Sequence, residues 1–535
     1  MNDDKHTIIG VDVGSASVRA GVFDLNGTLL AHATQGITLF RSAGNVVEQS
    51  SREIWQAVCS CIHSALARSG AAPQSVAGIG FDATCSLVVV GEHGASLAVG
   101  PGDDPQRDII VWMDHRATAQ AEKINATGHA VLQYIGGTIS PEMETPKILW
   151  LKENRPQTYQ QARHFFDLAD YLTWRATGDL ARSMCTVTCK WTYLAHEQRW
   201  DADYFRQIGL GDLADDDFAR IGQRIVDPGT PCGQGLSAEA AREMGLPVGT
   251  PVAAGMIDAH AGGIGTVGVL DGAVSNMAYV FGTSSCTMAS TANAVFVPGV
   301  WGPYYSAMVP GLWLSEGGQS AAGAAIDQLL RFHPAAAQAS ELAQQAGVAL
   351  PVYLADRVLA QVSSASAAAD LAAGLLVVPE FLGNRAPLAD PEARAVVAGL
   401  GMEQDLDNLL ALYVAGLCGI GYGLRQILDA QQACGIHCEN IVISGGAGQH
   451  PLVRQLLADA CGINIVSTEC SEPVLLGSAI LGAVAGRVSA SLPEAMKQFT
   501  RVDKTYRCTT SYQALHQRRY EAYLALQQAA RLLRQ

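Results

Sequence analysis

The chain has 535 residues, 49% of them hydrophobic, and a formal net charge of −15. This length predicts two or more domains with large cores, and the acidic balance argues against a nucleic acid or an anionic membrane surface as a partner. No apolar run is long enough to span a membrane and the N-terminal residues do not resemble a signal peptide, so we expect a cytoplasmic protein.

The first element is a strand–turn–strand unit. The pattern predicts a strand over Ile8–Val13, a tight turn over residues 14–17 and a second strand over Val18–Phe23. Backbone N–H groups and hydroxyls in this turn can donate hydrogen bonds to phosphate oxygens, and Asp12 near the end of the first strand can hold Mg²⁺ through water. An ordinary hairpin with a polar tip is the alternative interpretation.

Two buried strands then end in polar residues. After a predicted helix over Arg52–Ala67, the strand Val76–Phe81 leads into DATCSL, and the strand Ile109–Trp112 leads into Asp114-His115-Arg116. Proteins with α/β folds place ligand contacts at the ends of such strands. The repetition therefore favours a ligand site over solvated loops.

The next hundred residues are less informative. Residues 136–178 are predicted to be mostly helical, with one helix starting at Pro146. The segment Ser183–Tyr193 carries one cation, Lys190, among apolar and β-branched residues. One interpretation is that Lys190 lies at the edge of a strand with its ammonium group in water. The thirteen cysteines are scattered, so reduced thiols are expected rather than a metal site.

The stretch Ala253–Gly268, AAGMIDAHAGGIGTVG, lies near the middle of the chain and is the predicted centre of the site. Its single acid, Asp258, is surrounded by small residues that allow a backbone or a ligand to come close, so its carboxylate can accept a proton in a tight site. The stretch also contains GxGxxG, but a turn at Asp271-Gly272 and a strand follow it instead of a helix, which argues against a dinucleotide site.

The segment Ser275–Ser290 repeats the plan of the opening residues: a strand, a Gly-Thr-Ser-Ser turn and a second strand. Such repetition predicts two copies of one domain that face each other across a cleft. We therefore predict an N-terminal domain over residues 1–268, a C-terminal domain over 269–490, and a helical extension over 491–535 packed on the second domain.

The second half supplies further candidate elements. Glu316 is expected at a loop tip, before a helix over Ser320–Leu330 that Ser320 caps. A long helix over about Leu406–Gln432 contains four glycines, which indicates close packing or approach to a ligand. The strand Ile441–Ser444 leads into GGAGQ, a turn that aims N–H groups at an anion or leaves room for a flat base. Further helices are predicted over Pro451–Ala460, Glu472–Ala485 and Tyr512–Arg534.

Neither a P-loop nor the protein-kinase signature set is present. The chain instead contains, in order, GVDVGSASVRAG, GFDATCSL, VWMDHRA, GMIDAHAG, FGTSS, EGGQS, ISGGAGQHPLVRQLLAD and EPVLLGSAILGA. This ordered set, from Ile8 to Ala485, resembles the FGGY carbohydrate kinases. The resemblance implies an α/β fold of two ribonuclease H-like (actin-like ATPase) domains, with sugar and MgATP in the catalytic cleft between them.

The resemblance also implies roles for individual residues. Asp258 would be the general base that takes the proton from the sugar hydroxyl, and Asp12 would lie near magnesium. The remaining implied positions are Gly14, Ser15 and Arg19 at the first phosphate loop, Gly282, Thr283 and Ser284 at the second, Gly445, Gly446, Ala447 and Gln449 beside the adenosine, and Thr84, Trp112, Asp114, Lys190 and Glu316 near the sugar.

Within the family, TCSL after GFDA most resembles the ribulokinase branch that acts on D-ribulose and forms D-ribulose 5-phosphate. L-Ribulose, a xylulose or a polyol are the alternative substrates, because single hydrogen bonds discriminate stereoisomers. An actin-like ATPase and a sugar-sensing protein without kinase activity are the alternatives of other classes. The pattern leaves a homodimer open.

Overall fold

The computed structural model describes residues 6–270 and 272–534, so residues 1–5, Gln535, and Asp271 of the predicted Asp271-Gly272 turn lie outside it. The strands are β1 (Thr7–Val13), β2 (Ser17–Asp24), β3 (Leu29–Gly36), β4 (Phe40–Ser42), β5 (Val46–Gln49), β6 (Val76–Ala83), β7 (Leu87–Val90), β8 (Ile109–Ile110), β9 (His164–Asp167), β10 (Arg182–Ser183), β11 (Ile225–Val226), β12 (Met256–Ile257), β13 (Asn276–Phe281), β14 (Ser285–Thr291), β15 (Trp301–Tyr305), β16 (Trp313–Gln319), β17 (Leu376–Val378), β18 (Val396–Ala398), β19 (Asn440–Ser444), β20 (Asn464–Thr468) and β21 (Val502–Tyr506).

The helices are α1 (Ser51–Ser69), α2 (Thr118–Asn125), α3 (Glu144–Asn154), α4 (Pro156–Gln161), α5 (Leu168–Thr177), α6 (Met184–Lys190), α7 (Ala202–Gln207), α8 (Gly211–Asp215), α9 (Ala238–Met244), α10 (Asp258–Ile264), α11 (Gly323–Arg331), α12 (Ala336–Gln345), α13 (Leu350–Gln361), α14 (Leu406–Ala433), α15 (Pro451–Cys461), α16 (Pro473–Ala485), α17 (Leu492–Phe499) and α18 (Gln513–Leu532).

Two sheets share one strand plan, which confirms the predicted repeat. The first has the order β12-β6-β1-β2-β3, and the second contains the run β20-β19-β13-β14-β16. In each, a central antiparallel hairpin has an antiparallel strand on one side and two parallel strands on the other. The carboxyl ends of parallel strands meet at one sheet edge, so each sheet presents its turns and polar residues on a common edge.

Helix α16 packs directly on strands β1 and β6 of the first sheet, and glycines make this close approach possible. A Cβ at Gly80 would lie 1.8 Å from the carbonyl oxygen of Ser478, and one at Gly10 would lie 2.2 Å from that of Leu475. Gly265, part of the GxGxxG text, has the same function, because a Cβ there would lie 2.0 Å from the oxygen of Pro473. These glycines are therefore packing residues, in agreement with the argument against a dinucleotide fingerprint.

We expect Gly80→Val to destabilise the protein by at least about 1–3 kcal/mol, because the new side chain overlaps the backbone of α16 and neither element can move freely. The urea concentration at half-unfolding measures the effect. Gly102→Val is the matched control, since no atom lies within 4 Å of a Cβ placed there. Equal urea midpoints for the two variants would show that α16 does not pack closely against β6.

Helix α14 is the central helix of the second core. Among the described residues it alone has the length and apolar composition of a membrane-spanning helix, and 83% of its most apolar window is buried inside the protein. Its glycines permit close packing, as predicted: a Cβ at Gly419 would lie 2.3 Å from the oxygen of Val377, and one at Gly421 would lie 2.6 Å from Ala460 Cβ. Burial of this kind is typical of a core helix.

The C-terminal residues contact both halves of the molecule. Helix α18 packs against α14 and α15, whereas α17 packs against α16, and β21 is the edge strand of the second sheet. The Cβ positions of Gly27 and Gly268 lie against the backbones of Phe499 and Met496. The predicted domain boundaries at residues 268 and 490 stay a prediction.

Two predicted helix starts differ from the structure. Helix α11 begins at Gly323 after Ala322, without a side-chain cap, so the prediction that Ser320 caps this helix was wrong. Gln319 is still part of strand β16, which leaves Ser320 in the connection between strand and helix. Helix α3 begins at Glu144, two residues before Pro146.

Candidate active site

Strand register places three acids at one edge of the first sheet. Asp12 on β1 pairs with Asp82 on β6, and Asp82 in turn pairs with Met256 on β12. Asp258 follows the end of β12 directly as the first residue of α10. Asp12 and Asp258, the predicted metal and base positions, are therefore neighbours in space although they are 246 positions apart in the chain.

Asp258 has the properties that a general base needs. Burial raises the pKa of its carboxyl, and the nearby charge of Asp12 adds to this, so the pKa is about 6 despite opposing effects of the Ala259 N–H, His260 and Lys190. Its Oδ1 accepts a hydrogen bond from the Ala259 N–H at 2.7 Å. A carboxylate with a pKa near the operating pH is both available and basic enough to remove a proton.

Asp12 is held by a cation that also reaches the second half of the chain. The Arg19 Nε donates to Asp12 Oδ2 at 2.8 Å, and the same guanidinium forms an ion pair with Glu472 before α16. Asp82, the β6 neighbour of Asp12, is fully buried and accepts a hydrogen bond from the Ser478 hydroxyl. Burial, reinforced by Asp12, raises the pKa of Asp82 well above its usual range.

The turn over residues 14–17, predicted as the first phosphate loop, contacts Trp112, which is predicted to lie near the sugar. A Gly14 N–H to Ser17 oxygen bond of 3.0 Å closes the turn, as the strand–turn–strand pattern predicts. The indole N–H of Trp112 donates to Ser15 Oγ at 2.8 Å, so two residues predicted for different ligands are in direct contact. Any ligand group that moves Trp112 therefore also affects the loop.

The second loop and the GGAGQ turn border a cavity of about 490 Å³. Its lining includes five of the residues predicted for the nucleotide: Gly282, Thr283, Gly446, Ala447 and Gln449. No atom lies within 4 Å of a Cβ at Gly446, whereas Gly445 has φ +94° and its Cβ would lie 2.4 Å from the Phe281 oxygen. Gly445 thus shapes the turn, Gly446 leaves open space, and the volume is typical of a small-molecule site.

The residues predicted for the sugar do not all have free polar groups. Asp114 is fully buried, and its oxygens accept from the Val47 N–H at 2.6 Å and from the Arg116 guanidinium at 2.7 Å. The Thr84 hydroxyl lies 3.0 Å from Ser86 Oγ. Sugar contacts of Asp114 and Thr84 stay predictions, and in this structure Asp114 joins the segment after β8 to Val47 of β5.

Lys190 and Glu316 lie together, but not where the local pattern predicts. Glu316 is in the middle of strand β16, so its predicted place at a loop tip was wrong. Lys190 ends helix α6, above the Trp301 ring at 5.9 Å, rather than at a strand edge in water. Burial lowers the pKa of Lys190, but Cys85 and Glu316 more than reverse this, so its ammonium has close anionic or thiol neighbours.

Sequence reasoning missed Cys185 and His260. The His260 ring lies between Cys185 Sγ at 3.2 Å and Glu316 Oε2 at 3.1 Å, behind the acids of the sheet edge. The three residues belong to α6, α10 and β16, and only the spacing of His260, two residues after Asp258, was a local signal. All the cysteines fall within the described ranges and are free thiols.

Comparisons with known proteins agree with this geometry. The N-terminal domain of the FGGY family of carbohydrate kinases matches residues 7–265, and the family's C-terminal domain matches residues 277–486. An FGGY carbohydrate kinase domain-containing protein of Xenopus laevis is 42% identical over 529 residues, which are 97% of this chain and 96% of that protein. A D-ribulokinase of Saccharomyces cerevisiae is 37% identical over 552 residues, covering 97% of this chain and 76% of its own.

A solved xylulose kinase from Rhodospirillum rubrum superimposes with a TM-score of 0.81 over 98% of this chain and 99% of its own, at 21% identity, which shows a common fold. The predicted fold of two actin-like α/β domains is thereby confirmed. The chain belongs to the FGGY family of carbohydrate kinases.

Proposed function

We propose that this sugar kinase transfers the γ-phosphoryl group of ATP to a hydroxyl of a ketopentose, and that D-ribulose is its substrate. The observation that carries the chemistry is the placement of Asp258, half-buried, beside Asp12 at the end of parallel strands. Two features support D-ribulose: the TCSL text after β6, and the 37% identity to a D-ribulokinase over most of the chain.

In this mechanism Asp258 accepts the proton of the attacking hydroxyl while Lys190 and Glu316 orient the sugar through its other hydroxyls. Phosphoryl transfer needs alignment and charge stabilisation more than covalent help, and the N–H groups of the Gly14 and Gly282 turns supply donors to the phosphates. These donors are needed because the net charge of −15 on the chain disfavours binding of the negatively charged phosphates.

The residues present fit MgATP. Asp12 offers the oxygen ligand that Mg²⁺ prefers, and the open space at Gly446 beside the cavity suits a flat base. Bound magnesium would neutralise negative charge on the phosphate oxygens. Arg19 fixes the direction of the Asp12 carboxylate through its 2.8 Å hydrogen bond. We also propose a cytoplasmic location.

A panel of sugars tests the substrate. We expect the highest kcat/KM in a coupled ADP-release assay with D-ribulose, compared with L-ribulose, D-xylulose, L-xylulose, ribitol, L-arabinitol and glycerol. A higher kcat/KM for another member of the panel would keep the kinase and contradict the D-ribulose proposal. Absence of turnover with every sugar would favour an actin-like ATPase or a sugar-sensing protein.

The raised pKa of Asp258 predicts an acid limb in the pH dependence of activity. A general base works only when it is deprotonated, so kcat/KM for the sugar should fall as the pH drops through about 6. Initial rates measured from about pH 5 to about pH 8 at saturating MgATP give the profile. A rate that stays constant down to about pH 5 would mean that Asp258 is not the base.

A further inference from the structure

A buried chain of three side chains lies directly behind the proposed base. Cys185 on α6, His260 on α10 and Glu316 on β16 form the Cys185–His260–Glu316 chain, with contacts of 3.2 Å and 3.1 Å on the two ring nitrogens of the histidine. Cys185 and His260 have at most 1% exposed surface. Buried polar groups arranged in series hold each other's orientation firmly, because leaving any one unpaired is costly.

The sulfur of Cys185 contacts the residues on both sides of Asp258. It accepts a hydrogen bond from the Ile257 N–H at 3.5 Å and lies 3.2 Å from His260 Nδ1. No side chain caps the start of α10, where Asp258 is the first residue. One sulfur atom therefore contacts the backbone just before the base and the histidine ring just after it, in addition to the pairing of β12 with β6, and His260 extends this contact to the second sheet.

The ionised forms of the side chains in the Cys185–His260–Glu316 chain stabilise one another. Burial raises the pKa of the Cys185 thiol, but the Cys189 thiol and the His260 ring outweigh burial and lower it. Burial lowers the pKa of His260, and Cys185 and Glu316 more than reverse this, to about 10. These directions favour a thiolate on Cys185 and an imidazolium on His260, and with the Glu316 carboxylate and the Lys190 ammonium the four charges would sum to zero.

We propose that His260 is a positioning residue for the base, clamped between Cys185 of the first half of the chain and Glu316 of the second. This inference rests on the proposed function, because it assumes that Asp258 accepts the proton. The clamp aims the first turn of α10 at the cleft only when β16 is in place, so the geometry of the base depends on both domains. A displacement near 1 Å at a reacting group can cost about a hundredfold in rate.

Two variants test the clamp. We expect His260→Gln to lower kcat by about ten- to a hundredfold, with little change in the KM for ATP, because the base is displaced while the nucleotide cavity is intact. Cys185→Ser keeps the size of the side chain and should give a smaller loss in kcat. The absorbance at 240 nm of wild type minus Cys185→Ser should show a thiolate at neutral pH, and the signal should be absent when His260→Gln is the background.

Cys418→Ser is the matched control. Its thiol is also buried, but burial raises its pKa and it has no histidine partner, so neither kcat nor the thiolate signal should change. Wild-type kcat in His260→Gln would overturn the proposal. The proposal would also be overturned if His260→Gln lowered both kcat and the urea midpoint of unfolding while the thiolate signal persisted, because the loss of activity would then reflect lower stability. A wild type without sugar-dependent turnover would instead overturn the proposed function, and the inference with it.

Discussion

Asp258→Asn is expected to lower kcat for sugar phosphorylation by about 10²- to 10⁴-fold, the contribution of a positioned general base. The amide has the shape of the carboxylate but cannot accept the hydroxyl proton. It can still accept the Ala259 N–H hydrogen bond through its oxygen, so the start of α10 should not change. Sugar-dependent ADP release at saturating MgATP measures the loss, and the KM for ATP should stay close to the wild-type value.

Asp203→Asn serves as the control for this variant, because the Asp203 side chain is 72% exposed and its ion-pair partner is His129, which is not among the site residues. Surface carboxylates of this kind contribute little to stability, so its kcat should equal that of the wild type. If Asp258→Asn keeps a kcat within about tenfold of wild type, another group removes the proton and the assignment of the base is incorrect.

Asp12→Asn is expected to lower kcat by about 10²- to 10³-fold, the cost of losing one preorganised electrostatic partner in a phosphoryl- or acyl-transfer site. A neutral amide is a weaker ligand than a carboxylate for a hard cation. The Mg²⁺ concentration that gives half-maximal activity should therefore rise. The measurement is ADP release over a series of magnesium concentrations at fixed ATP and saturating sugar.

Asp215→Asn is the companion control, with a side chain that is 71% exposed. Arg19 keeps its ion pair with Glu472 in Asp12→Asn, so the turn after β1 retains one anchor and the protein should fold. An unchanged magnesium requirement together with a nearly unchanged kcat would place the metal ion elsewhere in the cleft.

The parts of the fold that depend on local pattern could be predicted from the sequence. The hairpins β1–β2 and β13–β14 were found from alternating strands around Gly/Ser turns, and α1 and α14 from helical periodicity. The repetition of one plan then predicted two like domains, and the two sheets share that plan. Each of these features is encoded within a few tens of residues, where backbone propensity and burial act together.

The parts of the site that depend on contacts between distant segments could not be predicted in this way. Glu316 was placed in a loop because the glycines after it suggest a turn, but the backbone pairing with β14 keeps this segment extended. The Ser15 contact with Trp112 and the His260 contacts with Cys185 and Glu316 join residues 56 to 97 positions apart. The hydrophobic periodicity within a single helix or strand cannot predict contacts between residues so far apart in the chain.

The most direct test of the kinase assignment is the stoichiometry of the reaction with D-ribulose. Purified protein is mixed with MgATP and D-ribulose, and ADP and phosphorylated sugar are quantified together, with a parallel reaction that lacks the sugar. We expect equal amounts of ADP and pentulose phosphate, and very little ADP without sugar. ADP formed at the same rate with and without the sugar, and no phosphorylated sugar, would contradict it.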